Sequence, residues 1–536
     1  MRCIVFILLT APLGAQLQDI AGNRIKAHTK FLAADLLEGR GVGTRGGQLA
    51  EEYIATQLEI AGAKPAGDNG TYFQRVPLTG VKALPESELT VNGPGKSLTL
   101  HWLDDFAGGF PRQKTEDQFE GELVFVGHGI SAPQDQWDDF KGMDVKGKVL
   151  LLFTNEPQPE NPDVFKGKTL TYVGRWTYKF EEAQRRGAIG IVIIHTTPTA
   201  GYGWEVVRNS WSKEDPQVIP EPGQHQLAFT GWVTQEAGQK LLNLVGKSVE
   251  TMLKAADSKD FRPIPLGLRM RGKIRTAVRR IETRNVAAII PGSDSKLKDE
   301  VVVFTAHWDH LGVAMPVNGD AIYNGAIDNA TGCGILLETA RAWGALEHKP
   351  RRSALFLSVT AEESGLRGSE YYGAHPLVPV GKTAVDLNYD ALFPSGATKD
   401  IVVMGAERTT LWPTVQQAAR RFSYQIQPDP HPEQGSFYRS DHFSLARVGV
   451  PAFSIKMGSE PRAGGSSGGD QVFQEYNTKH YHQPSDEFHD DWDFSGIERA
   501  ARFGMLIGMD AANQDKLPTW VQGDEFLPAR IASGVQ

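Results

Sequence analysis

After Arg284 the chain alternates short apolar strands with amphipathic helices, and this alternation limits the available folds more than any other feature. The pattern predicts strands at 285–290, 301–305, 353–359, 382–388, 401–404 and 451–455, and helices at 332–343, 411–422 and 495–509. Strands that alternate with helices pack as a largely parallel sheet covered on both faces. We therefore expect an α/β fold with a mixed, mostly parallel central sheet, whose functional residues lie at the carboxyl ends of the strands.

The region before Arg284 has a different texture. Helices are predicted at 20–37 and 47–61, and the glycine-rich loop between them, 38–47, is interpreted as a tight connection because it lacks the strand and the Gly-Lys-Ser/Thr ending of a phosphate-binding loop. Between 118 and 270, glycine-bounded apolar strands at 121–127, 147–153 and 187–194 precede an amphipathic helix at 234–253. We expect this segment to form a β-rich domain of its own, since about 150 residues is a usual domain size.

Composition and charge exclude several classes of protein. The 536 residues are 40% hydrophobic, which allows a large buried core, and the net charge of -8 without a Lys/Arg stripe argues against a nucleic-acid partner. A disulfide-stapled fold is excluded because the chain has only 2 cysteines.

The first 15 residues are typical of a secretory signal peptide. A basic start, an apolar run at 3–9 and small residues up to Ala15 fit that pattern, with a buried N-terminal strand as the alternative. The run is too short to span a bilayer, so we expect export to the periplasm or the medium without stable membrane insertion. Cleavage would leave Cys333 as a lone thiol, interpreted as a core residue. The tail 516–536 carries no clear pattern, and nothing in the sequence indicates the oligomeric state.

Five short polar motifs close predicted strands or lie in adjoining loops. They are His307-x-Asp309, Asp328, the adjacent pair Glu362-Glu363, Asp390 and His482. Each alone has an ordinary explanation, such as a satisfied polar group at a strand end or, at Asp328, a helix cap or turn. Two adjacent carboxylates after a buried strand nevertheless repel each other unless cations neutralise them. Taken together, histidines and carboxylates at one edge of a sheet indicate a divalent-metal site.

The order of these motifs resembles that of the co-catalytic zinc aminopeptidases of peptidase family M28, which also includes glutamate carboxypeptidase and the transferrin receptor ectodomain. The resemblance covers residues 20–510, and 118–270 is similar to the protease-associated (PA) domain inserted in many members, most clearly over 180–195. It implies a zinc-peptidase fold whose catalytic domain is split into 16–117 and 271–515.

The resemblance also implies a role for each motif. Asp328 would bridge two Zn²⁺ ions, one also held by His307 and Asp390, the other by Glu363 and His482. Asp309 would orient His307, and Glu362 would be the general base. Tyr438 is the candidate for a substrate-binding tyrosine that assists the oxyanion, although strict register puts Phe437 there. The chain further departs from the family in having Asn329 where many members have a second aspartate.

These expectations lead to an exported zinc exopeptidase, an aminopeptidase acting on peptides, whose PA domain narrows access and so favours chain ends. One alternative is a glutamate-carboxypeptidase-like hydrolase, which needs a cation such as Arg439, Arg367 or Arg462 to receive a terminal carboxylate. A second is a receptor-like binding module on the same fold. The chain has no His-Glu-x-x-His motif, and its Gly464–Gly468 match to a serine-hydrolase elbow lacks the buried strand that such an elbow follows.

Overall fold

The computed structural model describes residues 19–157, 165, 167, 169–220, 222–462 and 469–535. The predicted signal peptide lies outside the described residues. None of the helices in the described part of the chain is long and apolar enough to cross a membrane.

Twenty-one strands are described, β1 to β21 in chain order. They are Lys64–Pro65, Phe73–Ala83, Glu88–Gly93, Lys96–His101, Phe106–Gly109, Glu116–Phe125, Ser131–Ala132, Trp137–Asp138, Val149–Phe153, Gly190–Ile194, Asp215–Val218, Phe229–Val233, Ile264–Ile290, Val301–His307, Gly312–Val317, Asp320–Tyr323, Ser353–Val359, Thr383–Asn388, Asp400–Met404, Gln425–Gln427 and Ala452–Met457.

Fourteen α-helices are described, α1 to α14. They are Gly22–Leu32, Arg45–Ile60, Trp176–Arg185, Thr197–Ala200, Trp204–Ser212, Gln235–Asn243, Val249–Ala256, Thr331–Gly344, Arg367–Ala374, Trp412–Phe422, His442–Arg447, Gly469–Lys479, Ser495–Asn513 and Leu527–Ala532.

The predicted central sheet is confirmed. Strands β17, β14, β18 and β21 are parallel neighbours in that order, and β13 and β19 flank them in the antiparallel sense. Alternate residues of β14 enter opposite cores: Val302 and Phe304 pack with the helices on one face, while Val301 and Val303 join the core on the other. Both faces are covered, as the uninterrupted apolar strands predict.

A second sheet forms the core of the segment that interrupts the first. Its parallel strands β6, β9, β10 and β12 are joined by β5 and by the β3–β4 hairpin. We call residues 88–274 the inserted unit. Its hydrophobic cluster runs from Val81 to Ile274, so residues 88–109 pack with this sheet although they precede the predicted start at 118.

The two sheets share one long strand. β13, Ile264–Ile290, pairs with β6 and β3 along its first half and with β2 and β17 along its second half. The short strand β11 also leaves the inserted unit to pair with β2. The inserted unit is thus hydrogen-bonded to the central sheet.

Three local features differ from the sequence-based expectation. The predicted helix 234–253 is two helices, because Gly246 takes a left-handed φ of 68° and Ser248 caps the second helix. The stretch 202–217, for which the sequence analysis gives no element, contains helix α5 and most of strand β11. The tail is ordered: Trp520, 1% exposed, packs against Phe526, and its indole N–H donates to Gly449 O at 3.0 Å.

Candidate metal centre

Parallel strands bring the predicted site residues to one edge of the sheet. β14 ends at His307, which lies beside Val359 at the end of β17. Glu362 and Glu363 lie three and four residues beyond Val359, and Asp390 lies two residues beyond the end of β18. Asp328 and His482 come from loops that close over the same edge. The rule that sites lie at carboxyl strand ends therefore holds here.

The two oxygens of Asp328 face different histidines. Oδ1 lies 3.2 Å from His307 Nε2, and Oδ2 lies 3.8 Å from His482 Nε2. His307 Nε2 is also 3.6 Å from Asp390 Oδ1, while His482 Nε2 is 2.9 Å from Glu363 Oε2. The side chains thus form two half-sites that share one carboxylate.

The donor set fits a metal such as zinc. The Nε2 atoms of His307 and His482 are buried and face carboxylate oxygens at 3.2 and 2.9 Å without a well-aligned hydrogen bond among the described residues, as expected of atoms that are placed to bind a metal. The ligand atoms of His307, Asp328 and Glu363 lie within 4.8 Å of one another, as do those of His307, Glu362 and Asp390. Imidazole and carboxylate at such spacing are the ligands of Zn²⁺.

Glu362 and Glu363 have opposite electrostatic environments. Burial and the neighbouring negative charge of Glu363 raise the pKa of Glu362 well above its ordinary value. Burial alone would also raise the pKa of Glu363, but His482 and His310 outweigh it and hold that pKa well below its usual range. One carboxyl is therefore suited to take up a proton and the other to remain an anion.

The carboxylate of Asp309 supports the glutamate pair more directly than it supports His307. It accepts hydrogen bonds from Glu362 N at 3.1 Å and Glu363 N at 3.4 Å. His307 Nδ1 lies 3.1 Å from the Asp309 main-chain oxygen and 3.9 Å from the carboxylate, so the main-chain oxygen is its nearer partner. Burial raises the pKa of Asp309 to about 6. His310 contacts the centre through Nδ1, 2.6 Å from Glu363 Oε1.

Asp486, to which the sequence analysis gave no role, anchors the loop that carries Asp328. Its carboxylate accepts Ile327 N at 2.9 Å, Asp328 N at 3.1 Å and the hydroxyl of Tyr476 at 3.0 Å. The signal in the sequence is its place four residues after His482. One short segment thus supplies both a histidine and the anchor of the shared carboxylate.

Asn329 performs a task that requires an amide. Its Nδ2 donates to Tyr389 O at 2.9 Å, while its Oδ1 accepts Gly332 N at 3.0 Å and Ala391 N at 3.2 Å. A carboxylate could accept but not donate. Asn329, which stands where many family members have a second aspartate, therefore ties the Asp328 loop to the segment around Asp390.

Tyr438 lines a cavity beside Glu362 and Glu363, and its side chain is packed among neighbouring residues. Its hydroxyl donates to Glu525 Oε1 at 3.1 Å, and its ring packs edge-to-face against Phe443. Tyr481, to which the sequence analysis gave no role, directly contacts one of the histidines. Its ring stacks on His482 with centroids 4.0 Å apart, and its hydroxyl lies 3.3 Å from Arg439 Nη2.

Two cavities open onto the carboxylates. The first, of 220 Å³, is lined within the catalytic domain by side chains that include Phe393, Met404 and Phe473. The second, of 150 Å³, lies between the catalytic domain and the inserted unit, which contributes Arg175 and Trp176. Glu362 and Glu363 line both cavities, so a substrate bound across the centre has space on either side.

Comparison with known proteins agrees with this geometry. Residues 285–503 match the sequence model of peptidase family M28. The mouse protein aminopeptidase NAALADL1 is 28% identical over 178 residues, which make up 31% of this chain and 22% of that protein, so the chain spans about a fifth of the curated relative's length.

A solved structure shares the fold. The aminopeptidase from Aneurinibacillus sp. strain AM-1 superposes with a TM-score of 0.54 at 19% identity, over 94% of this chain and 96% of that one. The zinc aminopeptidase BSAP from Bacillus subtilis gives a TM-score of 0.47 at 16% identity, over 95% and 97% of the two chains. Residues 285–503, which include every residue of the metal centre, are the part of this chain that matches peptidase family M28, a metallopeptidase family.

Proposed function

We propose that this chain is a two-zinc aminopeptidase that removes N-terminal residues from peptides. The observation that carries the proposal is the pair of half-sites joined by Asp328, whose Oδ1 and Oδ2 face different histidines. His307 and Asp390 would hold one ion, Glu363 and His482 the other. A receptor-like module needs no such pair of sites, and the complete set of ligand types together with Glu362 supports an enzyme.

Two zinc ions held there would polarise the scissile carbonyl and acidify the attacking water. The protein's part is to move the proton. Glu362 accepts it from the water and delivers it to the leaving amine. Asp309 fixes the backbone of Glu362 and so places this carboxylate, and His310 keeps Glu363 turned toward its half-site through the 2.6 Å contact.

Replacing Glu362 by Gln tests the assignment. The variant keeps the shape and removes the base, so we expect two equivalents of zinc to remain bound while kcat falls about 10²- to 10⁴-fold. Glu370→Gln is the matched control, since Glu370 lines the second cavity and pairs with Arg447 and Arg367. Zinc is counted by elemental analysis. Full turnover by Glu362→Gln, or a wild type with fewer than two zinc ions, contradicts the proposal.

The inserted unit is proposed to be a PA domain that narrows access to the second cavity and so favours chain ends. Peptides with a blocked N-terminus measure this directly. Cleavage of blocked and free peptides at equal rates would rule out the exopeptidase activity. Export remains a prediction that depends on residues 1–15.

A carboxypeptidase-like polarity is the second candidate, and one observation favours it. Arg175 and Arg439, both lining the second cavity, form no ion pair with a carboxylate among the described residues, and Arg175 Nε is buried without a hydrogen-bond partner. Guanidinium groups that line a substrate cavity suit a terminal carboxylate. A dipeptide and its C-terminal amide separate the two cases: a preference for the free acid that Arg439→Gln abolishes supports a carboxylate site.

A further inference from the structure

The glycine-rich loop 38–47 carries a buried cation to the back of the metal centre. Arg40 is 0% exposed. Its guanidinium donates to four backbone carbonyls: Trp308 O at 2.7 Å, Leu32 O at 2.6 Å, Asn324 O at 2.6 Å and Gly325 O at 2.9 Å. A fully buried arginine whose hydrogen-bond partners are all backbone carbonyls acts as a cross-link between segments.

The segments that Arg40 joins are those that present the metal ligands. Trp308 separates His307 from Asp309, and its carbonyl is fixed by Arg40 Nε. Asn324 and Gly325 lie directly before the loop of Asp328 and are held by the two other guanidinium nitrogens. One side chain therefore sets the spacing between the backbone of His307 and the backbone that leads to Asp328.

The loop is built for this close approach. Gly39 has a φ of 64°, and a Cβ there would lie 2.3 Å from Tyr323 O and 2.8 Å from Gly312 O. A Cβ on Gly47 would lie 2.4 Å from Gly41 O and 3.0 Å from the ring of Trp308. Only glycine allows the loop to lie against this backbone, and a side chain at either position would push Arg40 away from its carbonyls.

The charge of Arg40 also belongs to the centre. The guanidinium has no ion pair with a carboxylate in the described part of the chain, and burial lowers its pKa, while Cys333, Asp486, Asp309 and Asp328 raise it. An uncompensated buried cation is costly. Here the carbonyls and the nearby acidic cluster offset that cost.

We propose that Arg40 is a positioning residue, which holds the backbone beside His307 and Asp328 at the separation that two bound metal ions require. The inference rests on the proposed metal centre. Among the described residues, Arg40 is the only fully buried arginine of the loop 38–47. The proposal gives it a function although it contacts neither the substrate nor the reacting atoms.

The test measures zinc affinity rather than turnover alone. Arg40→Lys keeps the charge but cannot reach four carbonyls, and Arg40→Met removes both charge and hydrogen bonds. Arg530→Lys and Arg530→Met are the matched controls, since Arg530 is also 0% exposed and, among the described residues, donates to backbone carbonyls alone, Pro518 O and Val380 O. Affinity is measured by competition with a chromophoric chelator, and stability by the melting temperature of the metal-free protein.

We expect both Arg40 variants to bind zinc about 10- to 100-fold more weakly, as is usual for residues that orient metal ligands. The Arg530 variants should lose melting temperature and keep wild-type zinc affinity. Wild-type zinc affinity in both Arg40 variants, with melting temperatures lowered as in the Arg530 pair, would overturn the proposal and leave Arg40 a purely structural residue.

Further results separate the positioning role from a failure to fold and from a failure of the proposed function. Should Arg40→Met fail to fold, Gly39→Ala displaces the loop without removing the charge and is expected to weaken zinc binding in the same way; unchanged affinity there counts against the proposal. A wild type that binds two zinc ions without hydrolysing any peptide contradicts the proposed function but not the positioning role. A wild type that binds no zinc overturns both.

Discussion

Asp486 offers the sharpest test of how the metal centre is built. Its carboxylate accepts the backbone N–H groups of Ile327 and Asp328 on different oxygens, and Oδ2 also accepts Tyr476. In Asp486→Asn one oxygen becomes an NH₂ group, which faces a backbone donor. At least one of the two backbone hydrogen bonds must therefore be lost.

The size of the effect follows from the lost bond. A hydrogen bond to a charged group contributes about 1.5–3 kcal/mol and a buried donor left unpaired costs about 1–3 kcal/mol; since these contributions overlap, we expect the variant to lose about 2–4 kcal/mol of unfolding free energy. Zinc affinity should fall as well, because the displaced loop carries Asp328. Urea unfolding in the presence of a chelator measures the first quantity, and a zinc titration the second.

Asp139→Asn is the matched control. Asp139 likewise accepts two backbone donors, His128 N and Ile130 N, and one side-chain donor, Trp137 Nε1, but it lies in the inserted unit. It should lose comparable stability and keep wild-type zinc affinity. Wild-type stability in Asp486→Asn, or equal zinc affinities in the two variants, would refute the reasoning.

Three further predictions concern pH, the tail and the metal. Burial lowers the pKa of His442 to about 3, so between about pH 6.5 and 3 the unfolded chain binds a proton that the folded chain does not; stability should fall as pH falls through this window, and His442→Gln should show a shallower slope in urea unfolding. Trp520→Ala should lower the free energy of unfolding, measured by urea denaturation, by about 3–5 kcal/mol, because the side chain is buried in the core that also contains Val301 and Val303. Chelation should abolish peptide hydrolysis and lower the melting temperature, and zinc should restore both, since a bound ion stabilises only the folded state; activity that survives chelation would contradict the metal assignment.

Local pattern was enough to predict the central sheet. The strand 353–359 is predicted at its observed bounds, and 301–305 ends two residues short of His307, because uninterrupted apolar runs between turns leave few alternatives. The same pattern placed the metal-centre residues at strand ends. Parallel strands bring together the residues at their carboxyl ends, whereas Asp328 and His482 reach the same edge from loops.

The parts that were missed depend on contacts between distant residues. Arg40 contacts Trp308, which is 268 positions away in the sequence, and Asp486 contacts Asp328, which is 158 positions away. The residues that flank Arg40 and Asp486 in the sequence therefore indicate neither role. The start of the inserted unit is a similar case, since residues 88–109 precede the predicted boundary at 118 and pack with the second sheet. The sequence pattern of residues 88–109 is that of an ordinary hairpin. Only their pairing with β13 and β12 shows that they belong to the second sheet.

The strand shared by the two sheets limits how the substrate cleft can open. Flexible linkers let domains swing apart, but β13 is one continuous ladder of 27 residues that enters both cores. Moving the inserted unit away as a rigid body would break backbone hydrogen bonds on both sides of that strand. We therefore expect the width of the cleft to change through twisting of β13. For protein engineering, exchange of the inserted unit therefore has to make its C-terminal junction within β13, in register, whereas the N-terminal junction can lie in the connection between β2 and β3.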